Sequence, residues 1–138
     1  MLRSVKLLGA LLFVVALANA QPAQRATTAT ASDDRFFVDK IYPVLEAAEC
    51  RMCHNDNGVA SATRVRFPAP DATQDAIRVF GLGLSVVVDR NNPDASLLLR
   101  KPTARVAHGG GERFKKGGPE EAALQSWIAY LAKLTPAE

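Results

Sequence analysis

The chain has 138 residues, of which 48% are hydrophobic and 22% are charged, and its formal net charge is +3. This balance is typical of one small globular domain, and two cysteines are too few for the disulfide framework of a miniprotein. Two of the basic residues, Arg3 and Lys6, lie in the first twenty residues, so the rest of the chain is nearly neutral and nucleic acid is not an expected partner.

The first twenty residues predict a signal peptide. Arg3 and Lys6 form a basic start, residues 7–18 form an apolar run, and Ala18-Asn19-Ala20 has the small-residue pattern of a cleavage site. As a helix this run spans about 18 Å, which is shorter than the roughly 30 Å hydrocarbon core of a bilayer. We therefore expect cleavage near Ala20 and an exported, for example periplasmic, protein without a transmembrane segment; a retained anchor is the alternative.

Residues 21–33 carry almost no large apolar side chain, which predicts a flexible linker, and residues 135–138 are expected to form a short C-terminal tail. The folded domain is therefore expected at residues 34–134. Its first helix is predicted at 34–49, where Pro43 is expected to introduce a kink. Its apolar stripe consists of Phe37, Ile41, Val44, Leu45 and Ala48.

Apolar spacing and helix-breaking residues predict further helices along the chain. Gly81 and Gly83 weaken the end of the second, Pro102 stops the short third, and Pro119 begins the last. Residues 63–67 alternate like a strand but have no partner strand of equal length. We therefore predict a mostly α domain whose last helix covers the apolar stripe of the first. The additional helices are expected at residues 71–84, 96–100 and 118–134.

The most informative feature is the motif Cys50-Arg51-Met52-Cys53-His54, which follows the first predicted helix. In c-type cytochromes, two cysteines at this spacing add to the haem vinyl groups and the adjacent histidine binds the iron. Because thioether attachment takes place outside the cytoplasm in bacteria, the predicted export signal agrees with the motif. We therefore predict one covalently attached haem c, held by Cys50 and Cys53 and ligated by His54.

Two other interpretations of these cysteines stay open. They could form a disulfide or a redox-active pair, although no strand precedes Cys50 as it does in thioredoxin-type motifs. They could instead bind zinc together with His54 and His108, which complete the chain's stock of cysteine and histidine. A zinc module usually has two separated histidines, however, whereas His54 directly follows Cys53.

Several short motifs also occur in the order of a known family. They are Ile41-Tyr42-Pro43-Val44-Leu45, the cysteine motif, Asp94-Ala95-Ser96-Leu97-Leu98-Leu99, Lys101-Pro102-Thr103, His108-Gly109-Gly110-Gly111 and Leu124-Gln125-Ser126-Trp127-Ile128. Residues 36–134 thereby resemble small class I cytochrome c domains, and more closely the planctomycete-type cytochrome c domain. The resemblance implies one haem enclosed by crossed N- and C-terminal helices. The planctomycete-type domain often begins large exported multidomain proteins, but no catalytic domain follows Leu134, so we expect a free-standing haem domain.

The second axial ligand of the iron is expected to be His108. Methionine is excluded, because Met1 lies in the predicted signal peptide and Met52 lies inside the motif. His108 is the remaining histidine, and the three glycines after it would let the backbone approach a porphyrin without side-chain clash. We therefore predict ligation by His54 and His108, with five-coordinate iron or ligation by Lys101 as alternatives.

A group of basic residues surrounds the predicted ligand loop. Such a patch could pair with haem propionates or dock an acidic redox partner, and a solvated surface loop is the alternative. The group consists of Arg100, Lys101, Arg105, Arg113, Lys115 and Lys116.

The expected function is one-electron transfer between redox proteins that the sequence does not identify. Enzyme activity is not expected, because no catalytic triad, paired carboxylates or phosphate-binding loop can be recognised. Five-coordinate iron would instead favour a small-ligand sensor or a weak peroxidase. A haem-bearing subunit of a larger exported enzyme assembly is a further alternative.

Overall fold

The computed structural model describes residues 34–134. The predicted signal peptide, linker and C-terminal tail therefore lie outside the described residues. Within the described range the chain is mostly helical and contains no strand, which confirms the predicted α class. Its helices are α1 (Asp34–Phe36), a π-helical turn (Phe37–Ile41), α2 (Tyr42–Ala47), α3 (Gln74–Gly83), α4 (Leu97–Arg100) and α5 (Pro119–Lys133), with 3₁₀ turns at Cys50–Met52, Leu84–Val87 and Pro93–Ala95.

The predicted first helix is continuous from α1 to α2, but it has a π turn in its middle. The Tyr42 N–H donates to the Phe37 carbonyl, five residues back, instead of the usual four. Pro43 accounts for this widening, because it has no N–H for the Asp39 carbonyl and its ring would clash there in a regular helix. The helix ends at Ala47, slightly before the predicted end, because Glu49 has a left-handed backbone with φ of 59°.

The core forms where the π turn, α3 and α5 meet. The Phe37 ring lies 5.0 Å from the Trp127 ring between centroids, and both side chains are fully buried. Trp127 Nε1 donates to the Gly81 carbonyl at 3.2 Å, which attaches α5 to α3. A Cβ at Gly81 would lie 2.4 Å from Phe37 Cδ1, so only glycine fits there. The N- and C-terminal helices therefore pack directly against each other, as their apolar spacing predicts.

The middle of the chain follows the predicted order with shifted boundaries. Helix α3 begins at Gln74, later than predicted, because the Thr73 side chain accepts the Ala76 N–H at 3.3 Å and caps the helix. Before α4, the buried Ser96 hydroxyl accepts the Asp89 N–H at 3.0 Å and holds the preceding loop. Among residues 34–134, none of the helices combines the length and apolar character needed to cross a membrane.

Candidate functional site

A cavity of about 740 Å³ opens beside the motif, within the range of about 300–1,000 Å³ typical of small-molecule and cofactor sites. Cys50, Cys53, His54 and His108 all line it, although His108 lies 54 residues after His54. Most of the remaining wall is apolar. The structure thus brings together around one cavity every site residue that the sequence predicts.

The cysteine motif forms one compact turn after α2. The left-handed backbone of Glu49 redirects the chain, and the N–H groups of Cys53 and His54 then donate to the Cys50 carbonyl, the latter at 3.1 Å. Cys50 and Cys53 are half-buried and are not joined by a disulfide. Both thiols and the following imidazole therefore border the cavity from a single turn.

The environment of Cys50 is unlike that of a redox-active dithiol. Burial raises the pKa of its thiol to about 11, and the positive charge of Arg113 offsets only part of this rise. The thiol is therefore protonated at neutral pH. Because redox-active cysteines depend on a lowered thiol pKa, this environment disfavours the redox interpretation.

His54 is oriented by the segment that follows the motif. Its Nδ1 lies 3.2 Å from the Val65 carbonyl oxygen, and its own carbonyl accepts the Phe67 N–H at 2.7 Å. The Thr63 hydroxyl is also 3.2 Å from Nδ1, but it donates to the Ala60 carbonyl at 2.8 Å. Since a carbonyl oxygen can only accept, Nδ1 carries the proton and Nε2 keeps the lone pair that binds metals. Burial lowers the pKa of His54, and the nearby charges of His108 and Lys101 act in the same direction, which favours the neutral imidazole.

His108 is held in the same way by its own loop. Its Nδ1 donates to the Gly111 carbonyl at 2.9 Å, and the Gly111 N–H donates back to the His108 carbonyl at 2.9 Å. Gly111 has a φ of 70°, a left-handed conformation that glycine adopts without strain. In both histidines, therefore, Nδ1 is committed to a backbone carbonyl and Nε2 is left for a ligand.

The two imidazole rings lie close together beside this cavity. Their centroids lie 6.2 Å apart and their planes differ by 22°. Two imidazoles at this separation are near enough to bind one metal ion, since imidazole nitrogen binds zinc at about 2.0–2.1 Å. By contrast, no cluster of three or more Cys, His, Asp or Glu side chains within residues 34–134 is placed to hold a metal ion by itself. The cavity is therefore bordered by two imidazoles that could bind the metal of a cofactor.

The walls of the cavity are apolar with a few cations. Leu97 and Leu98 line it, whereas Leu99 is fully buried in the core. Phe67 and Phe80 also line the cavity, and their ring centroids are 4.6 Å apart. Neither residue was predicted to belong to the site. The charged residues of the lining are Arg64, Lys101, Arg113 and Glu49.

Arg51, inside the motif, anchors the turn and was not predicted to do so. Its guanidinium donates to both Glu46 carboxylate oxygens, at 2.9 and 3.0 Å, and also to the Tyr42 hydroxyl and the Pro68 carbonyl. It also lies 5.6 Å from the Phe67 ring centroid. This side chain ties the motif to α2 and to the segment that holds His54, since Val65 and Phe67 both bond to that histidine.

The predicted basic patch is partly neutralised. Arg113 pairs with Glu49 at 3.5 Å and donates to the Gly110 carbonyl at 2.8 Å, so it also supports the His108 loop. Lys101 Nζ donates to the Ala107 carbonyl at 3.2 Å, one residue before His108. Lys115 pairs with Glu112 and Arg105 with Glu121.

Comparison of the chain with protein-family models, with curated proteins and with solved structures found no match.

Proposed function

We propose that residues 34–134 form a monohaem c-type cytochrome domain, similar to class I and planctomycete-type cytochrome c domains, and that it carries single electrons. In this proposal Cys50 and Cys53 would hold the haem covalently, and His54 and His108 would bind its iron. One observation carries the proposal. Two imidazoles with ring centroids 6.2 Å apart, each with Nδ1 bonded to a carbonyl, face a cavity that two motif cysteines also line.

The residues of this site have distinct tasks. The carbonyls of Val65 and Gly111 fix the histidine tautomers and ring orientations, and such bonds also raise the basicity of metal-binding imidazoles. Apolar walls that include Phe67 and Leu98 exclude water, which helps to set the reduction potential. When bound, haem supplies the one-electron chemistry, and this chain supplies its position and electrostatic environment.

The packing and charge of the domain are in keeping with this proposal. The contact between Phe37 and Trp127 supports the crossed N- and C-terminal helices that the family resemblance implies. Arg64, Lys101 and Arg113 at the cavity outnumber Glu49, which suits a cofactor with an apolar macrocycle and anionic propionates. The same cations suit docking of an acidic redox partner, since complementary charge accelerates encounter. Export through a signal peptide belongs to the proposal, because attachment occurs outside the cytoplasm.

A small-ligand sensor is the second candidate, and one observation favours it. The bond that orients His108 is internal to residues 108–111, so this turn could move the ring away from the cavity as a unit. Reduced protein exposed to carbon monoxide distinguishes the two candidates. A low-spin spectrum that carbon monoxide leaves unchanged supports electron transfer, whereas rapid binding supports the sensor.

The test of the proposed function is haem attachment to the wild-type chain. The full chain is coexpressed with a thioether-attachment pathway, and a parallel culture lacks that pathway. We expect the purified protein from the first culture to have the added mass of one haem and a pyridine haemochrome band typical of two thioethers. A chain that reaches the periplasm without added mass and without this band contradicts the proposal.

A matched pair of glycine substitutions tests the placement of His108. A Cβ at Gly110 would lie 3.0 Å from His108 Cε1 and 3.4 Å from Nε2, whereas a Cβ at Gly109 would meet nothing within 4 Å. We therefore expect Gly110→Ala to push the ring from its position and add a high-spin component to the ferric spectrum. Gly109→Ala is the control and should keep the wild-type spectrum. Equal effects of the two variants would show that the contact between Gly110 and His108 is unimportant.

A further inference from the structure

The loop between α4 and α5, residues 101–118, carries His108 and is closed at its base by backbone bonds. The Pro102 carbonyl accepts the N–H groups of Arg113 at 2.7 Å and Phe114 at 3.0 Å. These bonds bring the two arms of the loop together below His108. Both bonds lie within the loop and do not attach it to the rest of the domain.

A buried carboxylate on α5 attaches the loop to the rest of the domain, in addition to the pair of Arg113 with Glu49 and the buried Phe114 side chain. Glu121 is 3% exposed, and the Arg105 guanidinium donates to its Oε1, while the Gly117 N–H donates to its Oε2 at 2.6 Å. Arg105 lies on the arm that leads to His108, and Gly117 lies on the arm that returns to α5. Gly117 has a φ of 76°, which glycine adopts without strain. One carboxylate therefore joins both arms of the loop to the first turn of α5.

This arrangement links the burial of a charge to the closure of the loop. A carboxylate removed from water needs hydrogen bonds and a counter-charge in compensation, and the Arg105 and Gly117 donors both belong to the loop. The position of Glu121 near the start of the 15-residue α5 adds favourable interaction with the helix dipole. When the loop moves outward, the carboxylate loses both of these donors at once. The closed loop is therefore favoured as long as the Glu121 carboxylate stays buried.

We propose that Glu121 is a positioning residue for His108, acting through Arg105 and Gly117 to hold the ligand loop against the cavity. This inference rests on the proposed function, because it concerns how firmly His108 is presented to the iron. Glu121 does not line the cavity and is not itself a ligand. Removal of its charge should therefore loosen the ligand and leave haem attachment intact.

The experiment compares Glu121→Gln with Glu120→Gln in the haem-loaded full chain. Glu120 lies in the same helical turn but is exposed, so it controls for loss of a negative charge near the start of α5. We expect Glu121→Gln to keep covalent haem but to bind carbon monoxide faster by about tenfold, which is the lower end of the effects on metal affinity or activity known for groups that support metal ligands. Glu120→Gln should retain the wild-type rate. Hydrogen–deuterium exchange should be faster across residues 105–117 in Glu121→Gln, with residues 124–131 of α5 unchanged.

Variants at Arg105 keep the inference testable if Glu121→Gln does not fold. Arg105→Gln removes the counter-charge and leaves the Gly117 bond, so it should change carbon monoxide binding and loop exchange in the same direction. Arg105→Lys, which restores the charge, should recover most of the wild-type behaviour. The inference is wrong if the Gln variants only lower the unfolding midpoint while loop exchange and carbon monoxide binding match the wild type. Failure of the proposed function gives a different result, because the wild type itself then lacks covalent haem. Hydrogen–deuterium exchange of the loop, compared between the haem-free wild type and its Glu121→Gln variant, still decides whether Glu121 holds the loop.

Discussion

Replacement of both Cys50 and Cys53 by alanine is expected to abolish covalent haem attachment. Each thiol forms one thioether in the proposed site, so the double variant has no bond that survives acid treatment. Each single variant should retain one bond and a shifted haemochrome band. The measurement is the intact mass together with in-gel haem staining of protein made with the attachment pathway.

Met52 provides the matched control for this prediction. It lies between the two cysteines and is 68% exposed, so Met52→Ala changes the same turn without removing a thiol. We expect this variant to attach haem as the wild type does. The double cysteine variant should also have a lower free energy of unfolding, because a cofactor bound only to the native state stabilises it. Acid-stable haem in the double variant would refute the assignment of these cysteines.

Replacement of His108 by alanine is expected to have the second largest effect. In the proposed site, loss of its Nε2 would free one coordination position of the iron for water or carbon monoxide, so a high-spin component should appear. Two imidazoles favour ferric iron relative to His/Met ligation, and the wild-type reduction potential should accordingly be low. His108→Met should raise the midpoint potential if the sulfur reaches the iron. Optical spectra and redox titration measure both effects.

Two further variants separate His108 from the other candidate ligands. His54→Ala should be more damaging than His108→Ala, because in the proposed site His54 would bind the iron directly beside the attachment at Cys53. Lys101→Ala should leave the low-spin spectrum unchanged, since Lys101 donates to the Ala107 carbonyl in the structure. An unchanged spectrum and midpoint in His108→Ala would instead exclude His108 and make Lys101 the next ligand to examine.

Much of the fold could be predicted because its determinants are local. Apolar spacing around Phe37 and Trp127 indicates two helices with buried faces, and both side chains are fully buried where those helices meet. The consequence of Pro43 was predicted as a kink, but its form as a π turn depends on backbone bonds that composition does not reveal. The start of α3 differs from the prediction for a similar reason, because apolar spacing does not specify the first residue of a helix and the Thr73 side chain caps this one.

Site residues could be predicted only where they belong to one motif or are the last remaining residue of a suitable type. Cys50, Cys53 and His54 are adjacent in sequence, and His108 is the remaining histidine, so no tertiary information was needed to propose them. The supporting groups escaped prediction because their partners are distant along the chain. Arg51 reaches the Pro68 carbonyl, and Glu121 reaches Arg105, through contacts that exist only after folding.

The π turn at Phe37–Ile41 also determines how α1 is rotated relative to α2. Insertion of a single residue into an α-helix gives a turn of this kind, with one residue more than usual. Each residue of an α-helix turns the chain by about 100°. Deletion of one residue within this segment would restore regular winding, but it would rotate Phe37 away from Trp127 and Gly81. The segment before Tyr42 is therefore constrained in length as well as in composition.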